Sequence, residues 1–335
     1  MIFVFLFLAL SQDTPDSLSA RAIGLASAGN LTEAETLWRR AVDAEPTHFA
    51  SLFNLGFMAL RQGQDALATQ WLKRASSANP KDFNSFYLLG TAQSHQNETD
   101  DALRSWRLAL ALQPTNRKLI QVMSVEYSKG RYFEEAAHAA ESALRLAPED
   151  PALYFLAIKA RQDAAQSEEA FALARRAIAK FPQSARANFE LGFHLHKLGR
   201  WDEALPYFEK AIALDSAYEE PYYFRGDVLL RQEQAERAAA AFRAALDNRA
   251  DYTLARLGLA RALIAQAKLP AAVLELREAA RRDPTNPQPF LLLSQTLFRM
   301  GSLEESKAAK ETSQRLRTAR PELLNLPQAR PFPAK

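Results

Sequence analysis

Apolar residues in this chain recur at intervals of three and four, the spacing of one helical face, and the face itself repeats every 34 residues. Bulky groups stand at Leu52, Phe86, Ile120, Tyr154, Tyr222 and Phe290, and again three residues on at Leu55, Leu89, Met123, Leu191, Leu259 and Leu293. The next position is small at Ala22, Gly56, Gly90, Ser124, Gly192, Gly226 and Ala260, and is interrupted by Ile158. Two rows are alanine throughout: Ala34, Ala68, Ala102, Ala136, Ala170, Ala204, Ala238 and Ala272, then Ala41, Ala75, Ala109, Ala143, Ala177, Ala211, Ala245 and Ala279. Pro46, Pro80, Pro114, Pro148, Pro182 and Pro284 keep the same ruler, with Ser216 and Ala250 on its two skipped beats.

Each period predicts a helix pair. A first helix of about fourteen residues follows the proline position, and a polar turn near Gly29, Gly63, Asn97, Gly130 or Gly199 ends it through a left-handed residue. A second helix then runs to the next proline, which cannot supply the amide a further turn requires. Thr32 and Glu35 have the spacing of a capping box at the start of one second helix. Small residues mark the places where two helix axes approach most closely, and a larger group there would force them apart.

Composition narrows the class. Among 335 residues there are only 11 glycines and few β-branched residues, so the chain is expected to be all-α. Forty-two basic against 39 acidic residues leave a formal charge of +3, too even to require a nucleic acid partner. There is no cysteine, which removes disulfides, thiolate catalysis and zinc-finger clusters. His194 and His196 are two apart on a helix and point about 200° from one another, so no metal site is expected there. His48, His95 and His138 are scattered singly and read as surface residues. No phosphate loop, strand-borne nucleophile or zinc helix is present, and no cofactor is expected. Glu134-Glu135 and Glu168-Glu169 fall at starts of second helices, where they offset the helix dipole.

The opening run MIFVFLFLAL is too short to span a bilayer and reads as the apolar core of a signal peptide, residues 1–11, with cleavage expected after Ser11. No Lys or Arg precedes the run. Export to a periplasmic or extracellular location is expected, or a cytoplasmic one if this run is not a signal. Membrane contact would come only through this segment if it stays uncleaved.

Phe86, Leu89, Gly90, Ala102, Trp106, Ala109 and Pro114 in one period, and Leu191, Gly192, Ala204, Phe208 and Ala211 in another, resemble the tetratricopeptide repeat. The resemblance covers nine units, 15–48, 49–82, 83–116, 117–150, 151–184, 185–218, 219–252, 253–286 and 287–320, before a proline-rich tail at 321–335. It implies a right-handed solenoid, a superhelix of antiparallel helix pairs. In the last unit Ser306, Lys310 and Ser313 replace apolar rows, as expected of a polar capping helix.

In the family this resembles, the second, fifth, ninth, twelfth and thirteenth positions of the first helices line a concave groove. Carried onto this register, the fifth positions are Phe53, Tyr87, Phe155, Phe189 and Tyr223, an aromatic ladder. The thirteenth include Arg61, His95, Lys129, Lys197, Arg231 and Arg299; with Lys118 and Arg186 they would make the groove basic, the opposing charges lying mostly on second helices. Such a groove would receive a protein or peptide segment carrying apolar and acidic residues. The other reading is that these aromatic and basic rows are packing and solvation of the groove wall, whatever is bound. The family's clamp for a chaperone's terminal carboxylate is not matched, because Asn54 stands among Ser19, Ile23, Asn84 and Leu88. A non-enzymatic binding scaffold is the leading expectation, set against an accessory subunit of an envelope enzyme or assembly complex, and against an RNA-binding helical repeat.

Overall fold

The computed structural model describes residues 13–319, and within them every regular element is a helix. The expected signal segment at 1–11 and the tail at 321–335 lie outside the described residues. The chain divides into two compact units between Ala170 and Phe171.

Before that division the first helices are α1 (Pro15–Ser27), α3 (Phe49–Arg61), α5 (Phe83–His95), α7 (Arg117–Lys129) and α9 (Pro151–Asp163). They alternate with α2 (Leu31–Ala44), α4 (Asp65–Ala78), α6 (Thr99–Leu112) and α8 (Phe133–Leu146), and α10 (Ser167–Lys180) carries the division itself. The later unit continues with first helices α11 (Ala185–Lys197), α13 (Glu219–Arg231), α15 (Thr253–Ala265) and α17 (Pro287–Arg299), and second helices α12 (Trp201–Leu214), α14 (Ala235–Asn248), α16 (Leu269–Arg282) and α18 (Leu303–Ala319). α12 and α14 stop at the same register as the others although Ser216 and Ala250 stand where proline stands elsewhere. Proline is therefore one way to mark that end and not a condition for it.

Every alanine of the two alanine rows is 0 % exposed. Between them, helix contact is set by matched sizes. A Cβ added to Gly56 would lie 2.6 Å from Leu72, one on Gly90 2.6 Å from Trp106, one on Gly192 2.9 Å from Phe208, and one on Gly226 2.8 Å from Phe242. Phe242 is also the nearest obstacle to a Cβ on Gly258, at 2.4 Å, so this one ring is held between α13 and α15. The residue at the corresponding place on α18 is Lys310, which is exposed. Ser306 and Ser313 do not face outward, as the capping reading supposed. Both are buried, Ser306 donating to the Ser294 carbonyl at 2.8 Å and Ser313 to the Pro287 carbonyl at 3.0 Å, and both bind α18 to α17.

Three local expectations are corrected. The left-handed residue of each turn keeps the 34-residue ruler at Gly29, Gly63, Asn97, Arg131, Ala165, Gly199, Glu233, Ala267 and Gly301. In the fourth pair it is Arg131 at φ 64°, whereas Gly130 stays right-handed at φ −73°. The capping box at Thr32 does not form: Asn30 is the N-cap of α2 without a side-chain bond, and Glu35 instead accepts from Arg39, 2.7 Å away one turn on. Side-chain caps belong to the first helices, where Thr14, His48, Asp82, Asn116, Asp150, Ser184 and Asn286 each accept a backbone N–H. His48 is thus a buried cap, not a surface residue, with Nε2 3.1 Å from Asp16 of α1.

Gly90→Ala is expected to cost about 1–3 kcal/mol by overpacking against the Trp106 ring, and in urea melts its effect should couple to Trp106→Leu by more than about 0.5 kcal/mol. Ala267→Gly should raise stability by about 0.5–1 kcal/mol, since relief of left-handed strain exceeds the freedom gained by the unfolded chain. The reverse change, Gly63→Ala, should lower it in the same assay, although nothing lies within 4 Å of the added Cβ.

Candidate functional site

A helix shows the same face at steps of three and four, so the fifth, ninth, twelfth and thirteenth residues of each first helix share a side. In the unit before the division, Phe53 is half-buried, 5.9 Å from Phe49 and stacked on Phe57 at 6.4 Å. Tyr87 stacks on Phe83 at 5.7 Å, and its backbone carbonyl accepts the Trp106 indole N–H at 3.0 Å. Phe155 is only 8 % exposed and belongs to the core. The more exposed apolar groups are one helical turn further along, at the ninth position: Ile23 at 48 %, Phe57 at 40 % and Val125 at 45 %. The ruler that picked the fifth row would have found them four residues on, had exposure been weighed with size.

In the later unit the fifth-position rings are packed into an aromatic cluster. Phe189 lies 5.1 Å from Tyr218, 5.7 Å from Phe224 and 6.0 Å from Phe193. Tyr223 lies 5.0 Å from Phe224, 5.4 Å from Tyr252 and 5.9 Å from Phe242. Burial, and then the Asp227 carboxylate, push the Tyr223 hydroxyl up to about 12. These two rings stiffen the face more than they present it.

Three of the cations find their counter-charges on their own helices. Lys129 lies 3.0 Å from Glu126, Arg231 2.8 Å from Asp227, and Arg186 3.6 Å from Glu190, all three acids on the same first helices at three or four residues' distance. The expectation that opposing charges sit on second helices holds for His95, 2.9 Å from Asp65 of α4, and fails for these three. The reason is local: spacings of three and four let a first-helix acid reach its own helix's cation without any tertiary help. Arg61 lies over the Phe57 ring at 5.9 Å, Lys197 over Phe193 at 5.6 Å, and Arg231 also over Trp201 at 4.9 Å. Lys118 and Arg299 are exposed.

Two of these acids are bound on several sides. Glu126, 2 % exposed, accepts from Ser94 and Thr99 at 2.8 Å each and from Lys129. Burial opposes its charge, yet hydrogen bonds from Ser94, Lys129 and Thr99 outweigh burial and hold its pKa below the usual carboxylate value. Asp227 is held between His196 Nε2 and Arg231 Nε, each 2.8 Å away; burial again opposes its charge and these two partners lower its pKa. His194 and His196 face different surroundings, as their spacing requires. His194 is 2 % exposed, with Phe193 at 5.7 Å and Phe171 at 6.2 Å, and burial, followed by Lys197, lowers its pKa to about 4. Among the described residues, no group of three or more His, Asp or Glu is arranged to hold a metal ion.

Paired antiparallel helices on a fixed 34-residue ruler, with small residues at every crossing, define a helical-hairpin repeat protein. Family models described as "Tetratricopeptide repeat" match residues 183–251 in one version and 19–83 and 223–287 in another, together about half of the chain. The chain belongs to the tetratricopeptide repeat family. It is 25% identical to PilW, described as a widely conserved type IV pilus biogenesis factor, over 63% of this chain and 97% of that one, with a TM-score of 0.53. It is 24% identical to YrrB, described as a TPR protein with an unusual peptide-binding site, over 55% of this chain and 95% of that one, with a TM-score of 0.44. Anaphase-promoting complex subunit 7 of Arabidopsis thaliana is 32% identical over 114 residues, and the chain spans about a fifth of that relative's length. Family and fold together support a protein-interaction scaffold.

His194 generates a pH prediction. An imidazole that takes a proton near 6.5 when unfolded but resists it to about 4 when folded leaves stability intact above 6.5 and removes it as pH falls between those values. His194→Phe should reduce the loss across that window by roughly 1–2 kcal/mol, read from urea melts at successive pH values.

Proposed function

We propose that the chain is a non-enzymatic scaffold that binds a peptide or helix of a partner protein in the concave groove implied by its family, along the first-helix side. The observation that carries this reading is the exposed apolar row Ile23, Phe57 and Val125, flanked by Arg61 and Lys129. Water-exposed apolar groups on a rigid helical frame supply the anchors of most protein interfaces, and flanking cations steer an acidic segment onto them. Arg61 leans over Phe57 and is available to a ligand carboxylate; Lys129 already serves Glu126 but keeps more than half of its side chain exposed. Phe53 stacks on Phe57, and Phe155 lies within the core.

A second reading is favoured by the likeness to PilW, a type IV pilus biogenesis factor. On this reading the chain is exported and serves as an accessory part of an envelope assembly, with the expected signal segment directing it there.

A crosslinked pull-down of the full chain from envelope and medium fractions tests the groove. The double variant Ile23→Ser, Phe57→Ser is expected to lose one specific protein with its helical signal retained. Recovery of the same proteins by both forms sinks the reading.

A further inference from the structure

We propose that the tail of this chain, through Phe332 with Arg330 and Lys335 on either side, docks on the open end of the array at Phe298, Met300 and Leu303. Earlier repeats meet their successors at two fixed places of the ruler. At the place of Phe298 stand Ser94, which donates to Glu126 of the next first helix at 2.8 Å, and His196, 2.8 Å from Asp227 of the next one. At the place of Leu303 stand Thr99, which donates to the same Glu126 at 2.8 Å, and Trp201, which lies under Arg231 at 4.9 Å. In the ninth repeat both places are apolar and, among the described residues, uncovered: Phe298 is 66 % exposed and Leu303 59 %, with Met300 between them at 40 %. Large apolar groups gathered at one turn and left in water mark a surface that something covers.

The rest of α18 narrows the occupant. A further helix, such as one from a second copy of the chain, needs close approach at the crossing, and there α18 presents exposed Lys310 where α14 presents the buried ring of Phe242. An extended segment needs no such crossing and can use the end patch alone. The chain supplies one in residues 320–335, where Pro321, Pro327, Pro331 and Pro333 favour the polyproline conformation and leave less freedom to lose on binding. From Ala319 back to Leu303 is about 24 Å at 1.5 Å per residue, a distance that a chain extended at about 3.1 Å per residue covers in roughly eight residues. That brings the tail to Pro327 and leaves Phe332 within reach of the patch. Charge agrees with this placement. Glu304, next to Leu303, is exposed and has no cation among the described residues, whereas Glu305 is already paired with Arg277. Arg299, next to Phe298, has the sign of the tail's own cations, so Arg330 and Lys335 are drawn to the Glu304 side.

Because the chain has no cysteine, Ala334→Cys gives a single attachment point for a nitroxide, whose unpaired electron broadens nearby amide signals. In the full chain, labelled with nitrogen-15 and carrying this tag, the amides of residues 299–304 are expected to be lost while those of residues 311–318, at the other end of α18, remain. Phe332→Ser, and separately the double variant Phe298→Ser, Leu303→Ser, should restore the lost signals with the helical signal of the chain retained. A mixture of tagged, unlabelled chains with untagged, labelled ones should show no loss. Broadening strongest at residues 311–318, as a tail tethered at Ala319 and docked nowhere would give, overturns the proposal. Loss at residues 299–304 that survives Phe332→Ser also overturns it, as does loss in the mixed sample, which would make a second copy the occupant.

Discussion

Everything in this fold depends on how closely two helix backbones can approach. Sixteen alanines with no exposed surface hold the crossings, and Gly56, Gly90, Gly192 and Gly226 each face a bulky side chain of the next helix. Leu72, Trp106, Phe208 and Phe242 occupy the space that a Cβ would need. Dispersion contacts fall away steeply with separation, so a crossing opened by one methyl group loses contacts along both helices and not only at one atom. The first-helix face inherits its positions from these crossings: Val125, Glu126 and Lys129 stand as they do because Ser124 lets α7 lie against α8, its hydroxyl donating to the Ala136 carbonyl at 2.8 Å.

The fold was legible because its determinants are periodic. Alanine rows, the small row and the bulky row each depend on residue size, and size is written in the sequence at a constant interval. The local geometry of turns and caps was less legible because several residues suit each role. Gly130 was the natural choice for a left-handed turn, yet Arg131 takes it, since the ruler and not the residue type decides which position must turn. Thr32 and Glu35 had the spacing of a capping box, but Glu35 finds a stronger partner in Arg39. Caps of the first helices are of mixed type, with His48 doing the same work as Asp82, Asn116 and Ser184 without resembling them.

The candidate site was legible in outline only. Register places Phe53, Tyr87, Phe155, Phe189 and Tyr223 in one row, but register does not state how deeply a side chain lies. Phe155 sinks into the core and Tyr223 into an aromatic cluster, while Ile23, Phe57 and Val125 of the ninth row stay in water. Charge was misjudged for a related reason. Counting the cations of one row overlooks acids three or four residues away on the same helix, and Glu126, Glu190 and Asp227 reduce the field that Lys129, Arg186 and Arg231 would otherwise project. The electrostatic character of this face is therefore that of fixed, alternating charge, with net attraction for an acidic ligand concentrated where a cation has an aromatic neighbour in place of a carboxylate, as at Arg61.

The ring of Phe242, shared by a glycine on each of two successive first helices, bears on how such a chain can change over evolutionary time. Its 34-residue periods look interchangeable, but the volume at each crossing is divided differently: glycine faces tryptophan in one repeat and leucine in another, while Ile158 replaces the small residue altogether. Most of these pairs lie within one period and would travel with it, but Phe242 and Gly258 belong to neighbouring periods, so an exchange at that seam would set the ring against a larger group or leave a void. At that seam two neighbouring periods form one unit of exchange, even though the ruler alone would let them be separated.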